Sequence, residues 1–343
     1  MSRQDVSMEQ YLAAEEWCNS LLASEPDTPS HVFVSHPYSR LEDTIAAASR
    51  DIGLPSSSLE SMMRNKYVVY VKRMTPVVRV KLIKFLSSWI VNANDCQTIV
   101  YLASELRYPP YLLARMVVER LVDLKGKKAL TLVMRDPKTV LMGKDISLKL
   151  DEELCDDCYF SADRCSDICY RLAVEVQQAI DSDPLSGPRH EQERRRLGLE
   201  YEKKLEQILT RLGLPFETED ELRKRGTSKT PDVLLKCPVG LRIPTAARYP
   251  LSSQNERQSE ESDDDEWKVV CWIDSKALFG DVKTHNVEVF PQAESYAHRF
   301  GPGLILYWFG HAPRDQLLNG HGDISVAAWD LTMKIMLPTG EIL

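Results

Sequence analysis

Two short segments combine carboxylates with a lysine. Thr230-Pro-Asp232 opens one apolar stretch, and Asp274-Ser-Lys276 ends the next one. Residues two apart on a β-strand project to the same face, so Asp274 and Lys276 are expected to lie side by side. Carboxylates bind hard cations such as Mg²⁺ or Mn²⁺, and a lysine can stabilise charge that develops on a phosphate. The two segments therefore predict a metal-dependent hydrolytic site.

A charged helix before these segments offers a third carboxylate. Helical spacing of apolar residues runs over 194–209 and stops before Gly213 and Pro215. Glu202 is the preferred candidate, and Glu200 and Glu206 are the alternatives on the same helix. The competing interpretation for all three is a solvated helix surface.

A further helix and a basic segment could support such a site. Gln292 and Tyr296 are four residues apart, so they share a helix face, either at the DNA backbone, in support of the site, or as an ordinary surface pair. Basic residues also precede the first acidic segment, where they would contact phosphates or lie in a solvated loop. These basic residues are Arg223, Lys224, Arg225 and Lys229.

The order of elements after residue 187 predicts a mixed α/β domain. A turn-rich segment at 182–188 marks a domain boundary near Gly187, and the helix around Glu202 follows it. Short apolar runs after that helix are typical of strands, and they lie at 233–235, 269–273, 304–309 and 324–329. The fold class is therefore α+β multidomain, with domains expected at 1–130, 131–187 and 188–343.

Four motifs in this C-terminal part, taken in order, resemble those of the PD-(D/E)xK nuclease superfamily. Gly198-Leu-Glu-Tyr-Glu202, Thr230-Pro-Asp232, Asp274-Ser-Lys276 and Gln292-Ala-Glu-Ser-Tyr296 are similar to its helix Glu, PD, (D/E)xK and Q-x-x-x-Y motifs. The resemblance implies a restriction-endonuclease-like core and Mg²⁺ or Mn²⁺ bound by Asp232, Asp274 and Glu202. It also implies catalytic roles for six residues: Glu202, Asp232, Asp274, Lys276, Gln292 and Tyr296.

The whole chain resembles more narrowly a family of vertebrate nucleases that interact with codanin and are associated with congenital dyserythropoietic anaemia. That resemblance implies codanin as a partner and a location in the nucleus and also the cytoplasm. One departure concerns the segment 251–266 between the PD and DSK motifs, where compact relatives have a short turn. It carries seven acidic residues and one basic residue, which predicts a disordered acidic loop.

The N-terminal part, 1–130, has helical spacing almost throughout. Two segments, 48–55 and 103–110, share a rhythm of a small residue, a short turn and a new helix starting near Ser56–Ser58 or at Pro110. Two helix-turn-helix units fit this pattern, and two helical hairpins of a bundle fit it equally well. A DNA-binding role would assign the recognition helix to the one that carries Arg115 and Arg120.

Charge is distributed unevenly along the chain, whose net charge is −8. Residues 60–130 contain 13 Lys and Arg against five Asp and Glu, which favours a phosphate-facing surface there. The N-terminus shows no secretory signal, and the apolar runs are shorter than a membrane span. These features predict an intracellular protein without a membrane partner.

Four cysteines between 155 and 169 are a candidate structural Zn²⁺ site in the 131–187 connector. Cys155 and Cys158 form a C-x2-C pair, and Cys165 and Cys169 follow within 15 residues. The alternative is that Cys165 and Cys169 are a buried helix face. The remaining cysteines are interpreted as buried thiols, and they are Cys18, Cys96, Cys237 and Cys271.

Together these features predict a divalent-metal-dependent DNA endonuclease with a helical module that positions DNA or a protein. A rival hypothesis is a catalytically weak adaptor whose nuclease fold binds codanin or DNA. A third is a transcription factor built on the helix-turn-helix units. Two clustered carboxylates favour catalysis, because they repel each other in the absence of a cation.

Overall fold

The structure is a computed structural model. It describes residues 6–23, 38–91, 97–126, 128–143, 146–149, 154, 162–183, 185–242, 267–317, 322–329 and 333–343. Its helices are α1 (Met8–Ala23), α2 (Tyr38–Ile52), α3 (Ser56–Val91), α4 (Ile99–Glu105), α5 (Pro110–Leu121), α6 (Ala129–Arg135), α7 (Pro137–Leu141), α8 (Ala162–Ser182), α9 (Pro188–Arg211), α10 (Glu219–Lys224), α11 (Val282–Thr284) and α12 (Phe290–Phe300). Its strands are β1 (Phe216–Thr218), β2 (Val233–Arg242), β3 (Lys268–Lys276), β4 (Gly303–Tyr307), β5 (Ile324–Ala328) and β6 (Lys334–Met336).

The chain forms two compact units that do not follow its linear order. The sheet unit comprises Met1–Glu16, Ala48–Asn65 and Arg195–Leu343. The helical unit comprises Trp17–Ala47 and Lys66–Arg194. The domains expected from the sequence are continuous segments, whereas each of these units is assembled from separate stretches of chain.

The sheet unit is built on a six-stranded mixed sheet. Its strand order is β1-β2-β3-β4-β5, and β6 pairs with β2. Strands β1, β2 and β3 are antiparallel, whereas β3, β4 and β5 run parallel. The parallel β3 and β4 need a crossover, which α11, a π-helical segment at His285–Val289 and α12 supply. The predicted α+β class with a mixed sheet in the C-terminal part is confirmed.

The central strand β4 explains how this sheet is packed. Every residue of Gly303–Tyr307 is buried, as expected for an apolar parallel strand that is covered on both faces. A Cβ atom at Gly303 would lie 2.0 Å from the ring of Trp272 on β3, so only glycine fits there. The indole Nε1 of Trp272 donates a 2.8 Å hydrogen bond to Gly301 O, which fixes the indole ring against β4.

The two faces of the sheet differ in character. On one face, side chains of α9 such as Leu205 and Leu209 and sheet residues such as Ile273 and Leu304 line an apolar cavity of about 340 Å³. Alternation along β3 directs Asp274 to the opposite face. We call the face that carries Asp274 the polar face, and a reaction is expected on this face.

A buried ion pair on α8 organises the helical unit. The carboxylate of Glu175, which is 4% exposed, accepts hydrogen bonds from Trp89 Nε1 at the end of α3 and from Ile99 N at the start of α4. Arg171 Nε lies 2.8 Å from Glu175 Oε1, and its guanidinium donates to Trp89 O at 3.1 Å. The negative group thus meets a helix N-terminus and the positive group a helix C-terminus, as helix dipoles favour.

The helix starts predicted for the helix-turn-helix units are those of the structure, since α3 begins at Ser56 and α5 at Pro110. The first turns of α3 are nevertheless core, because Leu59, Met62 and Met63 are buried. The helix-turn-helix units stay a prediction, as does the alternative of two helical hairpins. The DNA-reading role of α5, with Arg115 in an exposed 3.8 Å ion pair with Glu119, stays a prediction.

The structure describes five of the eight cysteines. Cys155, Cys158 and Cys96 lie outside the described residues, as does the acidic loop 251–266. Cys165 and Cys169 are free and half-buried on α8, and the zinc site stays a prediction. Cys18 is buried, as predicted, and Cys271 is half-buried. The prediction that Cys237 is buried is wrong, because it lies where the β2–β3 register shifts and its side chain is exposed.

Among the described residues, no helix combines the length and the apolar character needed to cross a bilayer.

Candidate functional site

The end of β3 places a carboxylate and an ammonium group side by side on the polar face of the sheet. Lys276 Nζ lies 2.7 Å from Asp274 Oδ2. Asp274 is only 1% exposed, and the Lys276 side chain is 18% exposed. The sequence determines this contact, because residues two apart on a strand share a face.

Asp232 reaches the same place from the neighbouring strand. Val233 pairs with Ile273, so the residue before β2 lies across from Asp274 in the antiparallel register. Asp232 Oδ2 accepts a 2.7 Å hydrogen bond from Ser275 N. The aspartate of the Pro-Asp segment is therefore held directly against the strand that carries Asp274 and Lys276.

The helix α9 brings Glu202 near this group. Burial raises the pKa of Glu202, with Glu219, Glu206 and Asp274 adding to the effect and Lys276 opposing it. The Glu202 carboxylate therefore lies within the range of charge interactions with Lys276 and Asp274. Glu200 instead forms an exposed ion pair with Arg196 at 3.0 Å, which favours Glu202 over that alternative.

We call Glu202, Asp232, Asp274 and Lys276 the carboxylate–lysine cluster. Burial, and next the charge of Asp274, hold the pKa of Asp232 well above its usual range, although Lys276 and the Ser275 N–H oppose this. Burial alone would lower the pKa of Lys276, but the carboxylates of Asp274, Asp232 and Glu202 outweigh it and raise that pKa. The cluster thus has three carboxylates but only one ammonium group. A bound cation would offset this excess of carboxylates.

Helix α12 extends the cluster through the two residues of the predicted Q-x-x-x-Y motif. Gln292 Oε1 accepts from Lys276 Nζ at 3.5 Å, and Gln292 Nε2 donates to the Tyr296 hydroxyl at 2.6 Å. Tyr296 is buried and packs edge-on against Trp272 with ring centroids 5.4 Å apart. An ordinary surface pair does not fit a buried Tyr296, and its role in support of the site or at the DNA backbone stays a prediction.

Glu219, the first residue of α10, also lies beside the Pro-Asp segment, and the sequence pattern did not predict this. Glu219 N donates to Asp232 O at 3.1 Å, and Glu219 Oε1 accepts from Thr230 Oγ1 at 3.2 Å. Its carboxylate also pairs with Arg223 at 2.6 Å and acts on the pKa of Glu202. The sequence signal was a capping box, Thr218 with Glu221, which starts a helix just before the Pro-Asp segment.

The basic residues before β2 are partly engaged within the protein. Arg223 pairs with Glu219, and Arg225 pairs with Glu217 at 2.8 Å. Lys224 and Lys229 are exposed. Phosphate contacts by this group stay a prediction.

The donor set fits a hard divalent cation held by few protein ligands. Asp274 Oδ2 is buried and has no hydrogen-bond partner of good geometry among the described residues, although the Lys276 ammonium lies 2.7 Å away. Over the same residues, no three His, Cys, Asp or Glu side chains are arranged around one point as ligands. Mg²⁺ commonly takes one or two carboxylates and completes its shell with water and phosphate, which matches Asp232 and Asp274.

The chain is similar to a family model and to proteins of one name from several vertebrates. A family model described as "Protein of unknown function TPD sequence-motif" matches residues 168–326, which include Thr230-Pro-Asp232. CDAN1-interacting nuclease 1 of Xenopus tropicalis is 34% identical over 214 residues, 61% of this chain and 54% of its own length. The Bos taurus protein of that name is 30% identical over 214 residues, 61% of this chain and 58% of its own length.

The Danio rerio protein of the same name is 28% identical over 269 residues, 75% of this chain and 72% of its own length. The match thus spans less than two thirds of the frog and bovine relatives. No solved structure matches the chain. The predicted resemblance is confirmed: this chain is similar to proteins named CDAN1-interacting nuclease 1.

Proposed function

We propose that the sheet unit is a divalent-metal-dependent nuclease that hydrolyses DNA phosphodiester bonds. The observation that carries the proposal is the meeting of Asp232, Asp274 and Lys276, with contacts of 2.7 Å from Asp274 to Lys276 and from Asp232 to Ser275 N. The relatives named as nucleases support an enzyme of this class. A PD-(D/E)xK core is part of the proposal, since helix, antiparallel strands, crossover helix and parallel strand follow one another around the cluster.

Asp232 and Asp274 would hold the Mg²⁺ or Mn²⁺ ion, and Glu202 would complete the site from α9. Such an ion, when bound, lowers the pKa of a coordinated water and neutralises phosphate charge. The buried aspartates give it a site of low dielectric, in which charge interactions are stronger than in water.

Lys276 has a role that no carboxylate can fill. Its raised pKa keeps it protonated, so it can stabilise the negative charge that grows on the scissile phosphate or orient the attacking water. Asp274 and Gln292 hold the ammonium group from two sides. Tyr296 in turn fixes the side-chain amide of Gln292. The Lys276 ammonium, which would donate to the phosphate, is thereby held in position before the substrate binds.

A catalytically weak adaptor is the second candidate. Lys276 already forms an ion pair with Asp274, and no group of three ligands is assembled within the described residues. An adaptor would keep the fold for binding codanin or DNA with negligible turnover. The names of the relatives link those proteins to CDAN1, so codanin is proposed as a partner here. The nucleus and cytoplasm are proposed as the location only because the sequence resemblance implies them.

A cleavage panel tests the proposal. Wild type and Asp274→Ala are incubated with duplex, branched and single-stranded DNA, with Mg²⁺, with Mn²⁺ and with a chelator. We expect metal-dependent cleavage of at least one substrate by wild type and none by Asp274→Ala. The matched control is Asp315→Ala, which removes an exposed aspartate of the same unit and should cleave like wild type. Absence of cleavage by wild type under every condition favours the adaptor.

A further inference from the structure

Three polar residues in the first turns of α3 lie within the sheet unit. Ser58, Ser61 and Asn65 are spaced by three and four residues, so they share one helix face. Ser58 and Ser61 are buried, and Asn65 is half-buried. Polar groups in such positions require hydrogen-bond partners.

All three residues bond to the loops that leave β3 and β4. Ser61 Oγ accepts from Phe279 N at 2.7 Å, and Asn65 Nδ2 donates to Phe279 O at 3.1 Å. Ser58 Oγ donates to Phe309 O at 2.5 Å. The backbone at Phe279 is therefore held through both its N–H and its C=O by one helix face.

Phe279 follows Lys276 by only three residues, and the two loops are bonded to each other. Trp308 N donates to Lys276 O at 3.0 Å, and Gly280 N donates to Gly310 O at 3.0 Å. A Cβ atom at Gly280 would lie 2.5 Å from the ring of Tyr307, so the loop packs closely against β4. The backbone on the C-terminal side of Lys276 has little freedom as long as these bonds persist.

Asn65 also acts on the element that carries Gln292. Asn65 Nδ2 donates to Asp281 Oδ2 at 2.5 Å. The other oxygen of Asp281 accepts from Lys283 N at 3.1 Å and Thr284 N at 3.0 Å, which caps the start of α11. The helical stretch that begins there continues to Gln292.

We propose that Ser58, Ser61 and Asn65 are positioning residues for the carboxylate–lysine cluster. They fix the loop 277–281, which sets where Lys276 and Gln292 stand relative to Asp274. The unit that would cleave DNA thus includes a segment more than 200 residues before Lys276 in the chain. This inference rests on the proposed nuclease function for its catalytic consequence, whereas the positioning of the loop can be tested without it.

Hydrogen exchange on the full chain tests the positioning directly. Ser61→Ala removes the acceptor of the Phe279 N–H, and Asn65→Asp sets a carboxylate against Asp281. Amide exchange at 277–282 should rise in both variants and stay unchanged at β5. Ser61→Thr retains the hydroxyl and should restore protection. Ser56→Ala, an exposed serine of the same helix, is the matched control and should behave as wild type.

Steady-state cleavage supplies the catalytic readout. We expect kcat to fall by about tenfold or more in Ser61→Ala and Asn65→Asp with KM for DNA unchanged, because small displacements of a catalytic group slow the reaction. Unchanged exchange at 277–282, an equal rise at β5, or an unchanged kcat would overturn the inference. If wild type does not cleave, the proposed function fails while the exchange result still decides the positioning.

Discussion

The two units each bury a carboxylate beside a basic side chain, but the balance of partners differs. In the helical unit, both oxygens of Glu175 accept hydrogen bonds, and Arg171 matches its charge. In the sheet unit, Asp274 and Lys276 are accompanied by Asp232 and Glu202, so carboxylates exceed ammonium groups. A matched buried pair serves structure, whereas an excess of buried charge of one sign is a feature of functional sites.

The largest effect on stability is expected in the matched pair. Glu175→Ala leaves Arg171 without its carboxylate partner and Trp89 Nε1 and Ile99 N without an acceptor. Removal of one partner of a buried pair costs about 3–5 kcal/mol, and urea unfolding should show a loss of that order. Glu202→Ala is the counterpart in the sheet unit and should not lower stability, because it relieves repulsion. An equal loss of unfolding free energy in both variants would show that the two carboxylates do not differ in their contribution to stability.

The largest effect on catalysis is expected at Lys276. Lys276→Ala removes the only basic side chain of the carboxylate–lysine cluster, and kcat should fall by about 10²–10³-fold, as for loss of a group that stabilises transition-state charge. Divalent-metal binding should persist, since lysine is not a ligand. The measurement is steady-state cleavage, with a parallel calorimetric titration of the divalent metal. Retained kcat would assign the ion pair with Asp274 to structure, as in the helical unit.

A smaller effect is expected from pH on the metal-free protein. Since the folded-state pKa of Asp232 is raised, the folded state binds more protons than the unfolded state between the usual carboxyl range and that raised value. Stability should therefore fall as pH rises through this window. Asp232→Asn should lose this contribution and melt at a higher temperature than wild type above the window. A steeper fall of stability with rising pH in Asp232→Asn than in wild type would contradict the predicted direction.

The sequence was sufficient for the residues that act within one element or across adjacent strands. Asp274 and Lys276 meet because strand side chains alternate, and Asp232 joins them because the strand register requires it. Gln292 and Tyr296 bond to each other because they are one helical turn apart. The Asp274–Lys276 and Gln292–Tyr296 relations are local, so the pattern of residues determines them, whereas the position of Asp232 depends also on the pairing of β2 with β3.

Contacts between distant segments could not be read from the sequence. The capping box at Thr218 indicates that a helix begins at Glu219, but it does not indicate that the Glu219 carboxylate acts on the pKa of Glu202. Ser58 and Ser61 lie in the first turns of a helix predicted for a helix-turn-helix unit. The sequence does not indicate that their hydroxyls form hydrogen bonds with the backbone of the loops after β4 and β3. The exposed Cys237 depends on a register shift, which the alternation of apolar residues does not reveal.

Calorimetric titration of Mn²⁺ into the 343-residue chain tests the central claim most directly. The excess of carboxylates around Lys276 predicts saturable Mn²⁺ binding to wild type that is lost in both Asp232→Ala and Asp274→Ala and retained in Asp315→Ala. Circular dichroism should show that both cluster variants remain folded. Mn²⁺ binding of unchanged affinity in the two cluster variants would contradict the account and assign these aspartates to structure.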